Sequence, residues 1–391
     1  MTGELSASAF TATDRRALAS VATQFFVNGA VFASFVPRLP EIRDRIDVSL
    51  GELGATMTAA AVVGVAGGFV APALLKRFGT RWSLIVGAVV LISMLPAIGF
   101  STTLLAFGLS LAVMQAFDVV VDVAMNLQGS WLSARRHAPV MNRLHGLWSL
   151  GTVVGGIAAA QVAAAGVSLQ THLVVVTGIL AVALVFVGRG LLREDQDVDE
   201  VTDGGRNGAA RSALVLIALA GAFAIAVEII SSDWAAFRLK DDFDTSAGFA
   251  GLGFVAYTSG MTIGRFSGDA IEARWGAQRM LTSFVAVAAV GLTAASFFPN
   301  RWVVLAAYCL AGLGNSTMFP KLYDDAAKMP GAKGAGLGAL TAGSRVMVLI
   351  APVIIGSLAS TSLSVGAAVA VITLPSIVGF AVIVLGSLRR R

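Results

Sequence analysis

Apolar runs of about 20 residues, separated by short polar or turn-rich gaps, recur along the whole 391-residue chain. Twenty residues of helix rise about 30 Å, the thickness of a bilayer's hydrocarbon core. The pattern predicts twelve helical segments, at 16–38, 50–75, 82–101, 103–130, 139–166, 170–192, 212–237, 247–270, 279–298, 301–323, 335–360 and 363–388. The longest polar stretch, REDQDVDEVTDGGRNGAAR, follows the sixth segment and has no apolar periodicity. It reads as a flexible linker. The expected organisation is a first six-helix half at 1–192, a linker at 193–211 and a second half at 212–391.

Composition agrees with this pattern. Hydrophobic residues make up 56% and charged residues 13%, with a mean hydropathy of +0.81. Soluble domains carry roughly a quarter charged residues, so this chain cannot cover a water-facing surface. The single cysteine, Cys309, excludes an internal disulfide and reads as a small packing residue. The first 15 residues lack the tripartite pattern of a signal peptide, so the first segment is expected to be retained.

The net charge of +5 follows the membrane and does not indicate nucleic acid. With the N-terminus inside, 21 of 28 lysines and arginines fall in inner loops and ends. That bias predicts both termini in the cytoplasm and a multi-pass protein of the bacterial inner membrane.

The two halves repeat. Asp47-Val-Ser49 matches Asp244-Thr-Ser246, and Arg77-Phe-Gly79 matches Arg274-Trp-Gly276, each pair 197 residues apart. Two loops sharing one offset predict a duplicated six-helix unit with a symmetry axis along the membrane normal. Proteins so built usually move solutes by rocking one half against the other. Gly64 and Gly68, Gly151 and Gly155, and Gly260 and Gly264 form GxxxG pairs in segments 2, 5 and 8, expected at close helix contacts.

Against this background the stretch QAFDVVVDVAMN stands out. Asp118, Asp122 and Asn126 are spaced i, i+4, i+8 and share one helix face. A charge at mid-bilayer costs roughly 2.5–3.5 kcal/mol on insertion scales. Two carboxylates on one segment therefore have to face a watery cavity, find partners or hold a proton. Exchanging a proton is the task of a proton-coupled carrier, and Asp122 is the first choice for it. Asp118 aligns with Asn315 at the 197 offset, which suits a ligand hydrogen bond. Glu228 is the only acid in the body of segment 7 and a second candidate proton site. Gln24, Asn28, Asn126, Ser232 and Asn315 offer donors and acceptors to a polyhydroxyl ligand. Trp148 and Trp234 could stack on a sugar ring.

Arg345 is the only basic residue within segment 11 and needs a partner, for which Asp122 and Glu228 compete. His145, beside Arg143, could shuttle protons or simply cap a helix end. Asp324 and Asp325 could meet Arg135, Arg136 or Arg143 when the inner side closes.

Twelve segments, the halved repeat and the basic turns after segments 2 and 8 resemble the major facilitator superfamily. GGFVAPALLKRFGTR keeps the R-x-G-x-R ending of that family's 2–3 loop motif, with Lys76 where an aspartate often stands. GRFSGDAIEARWG is the fuller copy and keeps Asp269. Asp122-Val-Ala-Met-Asn126 and Asn142-Arg-Leu-His145-Gly-Leu-Trp-Ser-Leu-Gly151 are similar to segments 4 and 5 of fucose permease and related sugar-permease-like members. There, segment 1 carries an acid where this chain has Gln24 and Asn28.

The resemblance implies an all-α membrane fold whose segments 1, 4, 7 and 10 line a central cavity. It also implies proton-coupled symport of a sugar or sugar-like solute, by a monomer. Efflux of drugs or metabolites is the alternative. Segment 5 lacks the proline of the exporters' G-P-x-x-G-G stretch, and segment 4 carries aspartates in place of their arginine. A receptor or scaffold on the same fold is a further alternative. No catalytic set, phosphate loop or metal-ligand cluster occurs in the sequence, so neither an enzyme nor a cofactor is expected.

Overall fold

The computed structural model describes residues 10–136, 140–193, 211–327, 329 and 335–388. Nearly all of the expected linker lies outside these residues. The described chain is all-helical: α1 (Ala12–Phe35), a 3-10 turn (Val36–Arg38), α2 (Leu39–Ile46), α3 (Leu50–Phe100), α4 (Leu104–Arg136), α5 (Met141–Ala164), α6 (Leu169–Gly190), α7 (Arg211–Asp233), α8 (Ala235–Phe243), α9 (Ala247–Trp275), α10 (Ala277–Phe297), α11 (Arg301–Asn315), α12 (Met318–Ala327), α13 (Ala335–Ala359) and α14 (Val365–Leu388).

Among the described residues, ten helical stretches are long and apolar enough to cross a membrane. One of them, α3, has 51 residues and is interrupted at Gly79, which sits at φ 75°, ψ 156°. At 1.5 Å per residue α3 would be about 77 Å long if straight, more than twice a bilayer core. Gly79 divides it into limbs at 50–78 and 80–100. With α9, the arrangement is compatible with twelve crossings.

Several predicted boundaries move. Segment 7 ends at Asp233 and passes into the short α8, segment 8 runs on to Trp275, and segment 10 breaks between Asn315 and Met318.

The duplication is visible in the backbone. Asp47 and Asp244, 197 residues apart, are the only non-glycine residues with positive φ among those described, at 54° and 48°. Each ends its short helix, α2 or α8, in the left-handed conformation. Two residues on, Ser49 and Ser246 cap α3 and α9 by accepting from the N–H groups of Glu52 and Phe249. Gly276 repeats the geometry of Gly79, at φ 78°, ψ 151°. Only glycine adopts such a conformation without strain.

Packing repeats as well. A Cβ added at Gly67 would lie 2.7 Å from the Ala116 carbonyl oxygen, and one at Gly264 would lie 2.8 Å from that of Leu313. Both members of the second contact are the first plus 197. Gly151 and Gly260 press even closer, on Phe26 and Cys309, so the GxxxG expectation holds in segments 5 and 8. In segment 2 Gly64 and Gly68 meet Gln115 and Val119 at 3.1 and 3.6 Å, a looser approach.

A second repeated device ties each short helix to its own half. Arg45 on α2 donates to the Gly99 carbonyl at the end of α3 and to Gln170 on α6. Arg238 on α8 donates to the Ala295 and Phe298 carbonyls at the end of α10 and to Asp242. Asp242 in turn accepts from the N–H groups of Val365 and Gly366, at the start of α14. The Glu41–Arg45 pair becomes Arg238–Asp242 at the 197 offset, with its charges exchanged.

Two buried cores follow. One lies wholly within residues 217–384. The other spans Ala17 to Leu192 and also takes in Trp234, Phe237, Phe254, Ala351 and Ile355 of the second half. Phe69, Leu105 and Val182 remain more than two-thirds exposed. Exposed apolar side chains of this size on a multi-pass protein face lipid.

Candidate functional site

Between the halves lies a cavity of about 2310 Å³. One rim carries Lys76, Arg143, Glu272 and Lys321, from α3, α5, α9 and α12. The side chains of Lys76, Arg143 and Glu272 are exposed, so the cavity opens at this largely basic rim.

The opposite end is closed. Arg43 of the first half forms a two-point ion pair with Asp241 of the second, one N–O contact measuring 2.9 Å, and also holds Asp44. Its guanidinium stands 5.5 Å from the Phe237 ring. Beside it the Gly51 N–H donates to Ser360 Oγ at 2.7 Å and the Val353 N–H to Thr58 Oγ1 at 3.2 Å, joining α3 to α13. Gly54 and Gly356 let these two helices approach closely.

The first half contributes an acidic wall from α1 and α4. Asp118, Asp122 and Asn126 line the cavity with Asn28, as their helical spacing predicts. Asn126 donates its amide to the Asp122 backbone carbonyl at 2.8 Å and to its carboxylate at 3.0 Å. Asp122 is exposed to the cavity, Asp118 half-buried and Asn28 buried. The Asn28 amide lies beside the Asp118 carboxylate. Asp118 Oδ1 and Asn28 Oδ1 are buried without a hydrogen-bond partner. From α5, Arg143, His145 and Trp148 complete this wall. The His145 ring meets Phe25 edge to face, with centroids 5.2 Å apart.

On the facing wall Glu228 of α7 pairs with Arg265 of α9 at 3.4 Å. Arg265 also donates to Ser149 Oγ of α5 at 3.1 Å, so it touches both halves. Arg265 is a candidate site residue not singled out in the sequence, where it counts only as one of the 21 inner-side basic residues. The signal was its depth. Ten residues separate it from Trp275, the last residue of α9, which places it about 15 Å inside the helix end.

Arg345 has no carboxylate within 4.0 Å among the described residues. It acts through space on both Asp118 and Asp122, whereas the direct partner of Glu228 is Arg265.

Other predicted residues lie elsewhere. Gln24 is buried, one turn from Asn28 and outside the cavity lining, with both amide atoms unpartnered. Asn315 is buried behind Ser316 and Thr317, which do line the cavity. Ser232 donates to Asp233 at 2.9 Å. Trp234 is buried against Phe237 at the closed end. Asp325 is paired with Lys321 of its own helix, and Arg135 with Asp14 at 3.1 Å. The side chains of Asp269 and Asp324 lie outside the described residues.

The Arg43–Asp241 contact has a testable consequence. It is partly exposed, and such pairs contribute up to about 1 kcal/mol. Asp241→Asn should therefore raise the population opened at that end by up to about fivefold. In a Cys309→Ala background, Ile355→Cys, fully buried between the halves beside this closure, should then react correspondingly faster with a hydrophilic thiol reagent. Equal rates with Asp and Asn at 241 would show that the pair does not hold this end shut.

A model of the Major Facilitator Superfamily matches residues 21–227, more than half of the chain. Membrane protein MosC of Rhizobium meliloti is 27% identical over 347 residues, covering 88% of this chain and 83% of the relative. An uncharacterized MFS-type transporter of Yersinia pestis is 24% identical over 341 residues, covering 86% and 88%. The crystal structure of nucleoside transporter NupG superposes with a TM-score of 0.70 over 97% of this chain and 100% of that one. Identity there is 10%, so that likeness shows the fold alone. By the family match and by its fold, this multi-pass membrane protein belongs to the Major Facilitator Superfamily.

Proposed function

We propose that this transporter takes up a small polar solute, a sugar or sugar-like compound, by alternating access coupled to protons. The observation that carries the reading is a cavity closed at one end and open at the other, with acids on both walls. Asp118 and Asp122 stand on one half and Glu228 on the other. Exposure to cavity water is one of the conditions under which a membrane helix tolerates such acids.

In this reading the basic rim faces the cytoplasm of a bacterial inner membrane, so the structure is open inward. Asp122 and Glu228 exchange the proton. Asn28 and Asn126 hydrogen-bond the solute, and Trp148 offers it an aromatic face. Gln24, Ser232, Trp234 and Asn315 join the site when the halves tilt and the other end opens. Arg143, His145, Asp324 and Asp325 meet across the inner rim as it closes. Asp269 and Arg345 complete the charge balance. One chain contains both walls, so a monomer suffices.

Uptake of radiolabelled sugars, polyols and ribonucleosides into cells expressing the chain tests this. Accumulation above the external concentration should collapse with a protonophore. Undiminished accumulation under full uncoupling would remove the proton from the proposal. Proton-driven movement in the opposite sense, measured in everted vesicles, would reverse its direction.

A further inference from the structure

We infer that the solute carries a protonated amine, received by Asp118 together with Asn28 at the edge of Asp122. This rests on the transport reading above and narrows its substrate to amino sugars or similar amino polyols.

The argument begins with donors and acceptors. Asn28 lines the cavity, is 4% exposed and has no partner for Oδ1. Asp118 Oδ1 is also buried and unpartnered. Asp122 receives side-chain N–H donation only from Asn126 among the described residues. This corner of the wall therefore presents acceptors from three side chains, while its two amide donors are already engaged within it, Asn126 on Asp122 and the Asn28 amide beside Asp118. A hydroxyl brings one donor and two further acceptors to such a corner. An ammonium brings three donors and no acceptor, together with the charge that two carboxylates call for. An unmatched buried acceptor is costly, so its native partner belongs to the loaded state.

Two rival occupants fit less well. Arg345 acts on both acids through space but comes within 4.0 Å of neither among the described residues. It offsets their charge while leaving their oxygens free. A hard metal ion prefers an enclosing shell of about six or more oxygens. This corner is one wall of an open cavity of about 2310 Å³, with Asp122 exposed.

The test uses the purified full chain and matched triplets. These are D-glucosamine, D-glucose and N-acetyl-D-glucosamine, with ethanolamine, ethylene glycol and N-acetylethanolamine as fragments. Thermal stabilisation should appear with the amine of each triplet and not with its neutral partners. Asp118→Asn should weaken amine binding about 10- to 100-fold. Asn28→Leu should weaken it, and Asn28→Asp should keep or strengthen it; the second variant serves if Asp118→Asn does not fold. A merely structural Asn28 would not distinguish leucine from aspartate in this way.

Equal stabilisation by glucose or by the N-acetyl compounds would overturn the amine. Stabilisation by sodium chloride alone, matched in concentration, would assign the corner to an alkali ion and overturn it too. No response to any member would count against it equally. If Asp118→Asn still concentrates a neutral sugar on a proton gradient, the amine seat is lost and the transport proposal stands. If the native chain concentrates nothing, the transport proposal itself fails.

Discussion

Reconstituted into vesicles, the Asp122→Asn variant is expected to exchange its solute across the membrane but not to concentrate it. A gradient of one pH unit supplies about 1.4 kcal/mol per proton, enough for about tenfold accumulation at one proton per solute. The native chain should approach that ratio, and the variant should stay near one. An amide keeps the shape of the acid but cannot change charge with proton uptake. Asp122 is exposed to the cavity and receives one amide donor, from Asn126, among the described residues, so the exchange should leave the fold intact. Accumulation by the variant equal to that of the native chain would show that the proton rides elsewhere. Glu228→Gln is the next variant to make, and Asp118→Asn after it. Glu228 differs from Asp122 in one respect: it is already bonded to Arg265. Its neutralisation would also free Arg265, which holds Ser149 of the other half. Glu228→Gln should therefore alter the rate of exchange as well as the coupling, a difference that separates the two acids.

The helices and their duplication were legible because both rest on local chemistry. A lipid-facing helix has to be apolar for about 20 residues, and the turns at Asp47 and Gly79 demand residues that tolerate positive φ. Those turns recur 197 residues later with closely similar dihedral angles. The acidic wall was legible for the same reason, since i, i+4, i+8 spacing fixes a face whatever the helix packs against.

What could not be read was which faces meet. Arg345 and Arg265 both sit on second-half helices, and choosing a partner for Glu228 required the packing of α7 on α9. Arg265 was hidden by a counting rule that groups charges near a loop without measuring depth along the helix. Trp234 and Asn315 have the composition of ligand contacts. Trp234 is buried beside the closed end, and Asn315 behind the cavity wall. Membership of the site depends on the tilt of the halves, a property of the conformational state that no single residue carries.

The largest loss of stability is expected from Arg238→Ala, far from the cavity acids. Arg238 is 6% exposed and donates to Asp242 at 2.6 Å, to the Ala295 carbonyl at 3.2 Å and to the Phe298 carbonyl at 3.1 Å. Its guanidinium also covers the Phe243 ring at 4.6 Å. Alanine would leave two carbonyls at the end of α10 unpaired and Asp242 without its counter-charge. Breaking one side of a buried pair costs about 3–5 kcal/mol. Asp242 also holds the first N–H groups of α14, so the loss should spread from α8 to α10 and α14. Arg238→Lys should recover only part of it, because a single ammonium cannot replace the planar fork that reaches a carboxylate and two carbonyls together. The symmetry supplies the control. Arg45 closes the corresponding corner of the first half, but its acid, Glu41, stands 3.9 Å away and is partly exposed. Arg45→Ala should therefore cost less, nearer the 0–1 kcal/mol of a surface pair plus one lost carbonyl bond and one lost bond to Gln170. Unfolding by denaturant in detergent would compare the two directly. Equal losses at both corners would mean that the exchange of charges between the halves has no energetic consequence, and that the carbonyl bonds alone hold the short helices in place.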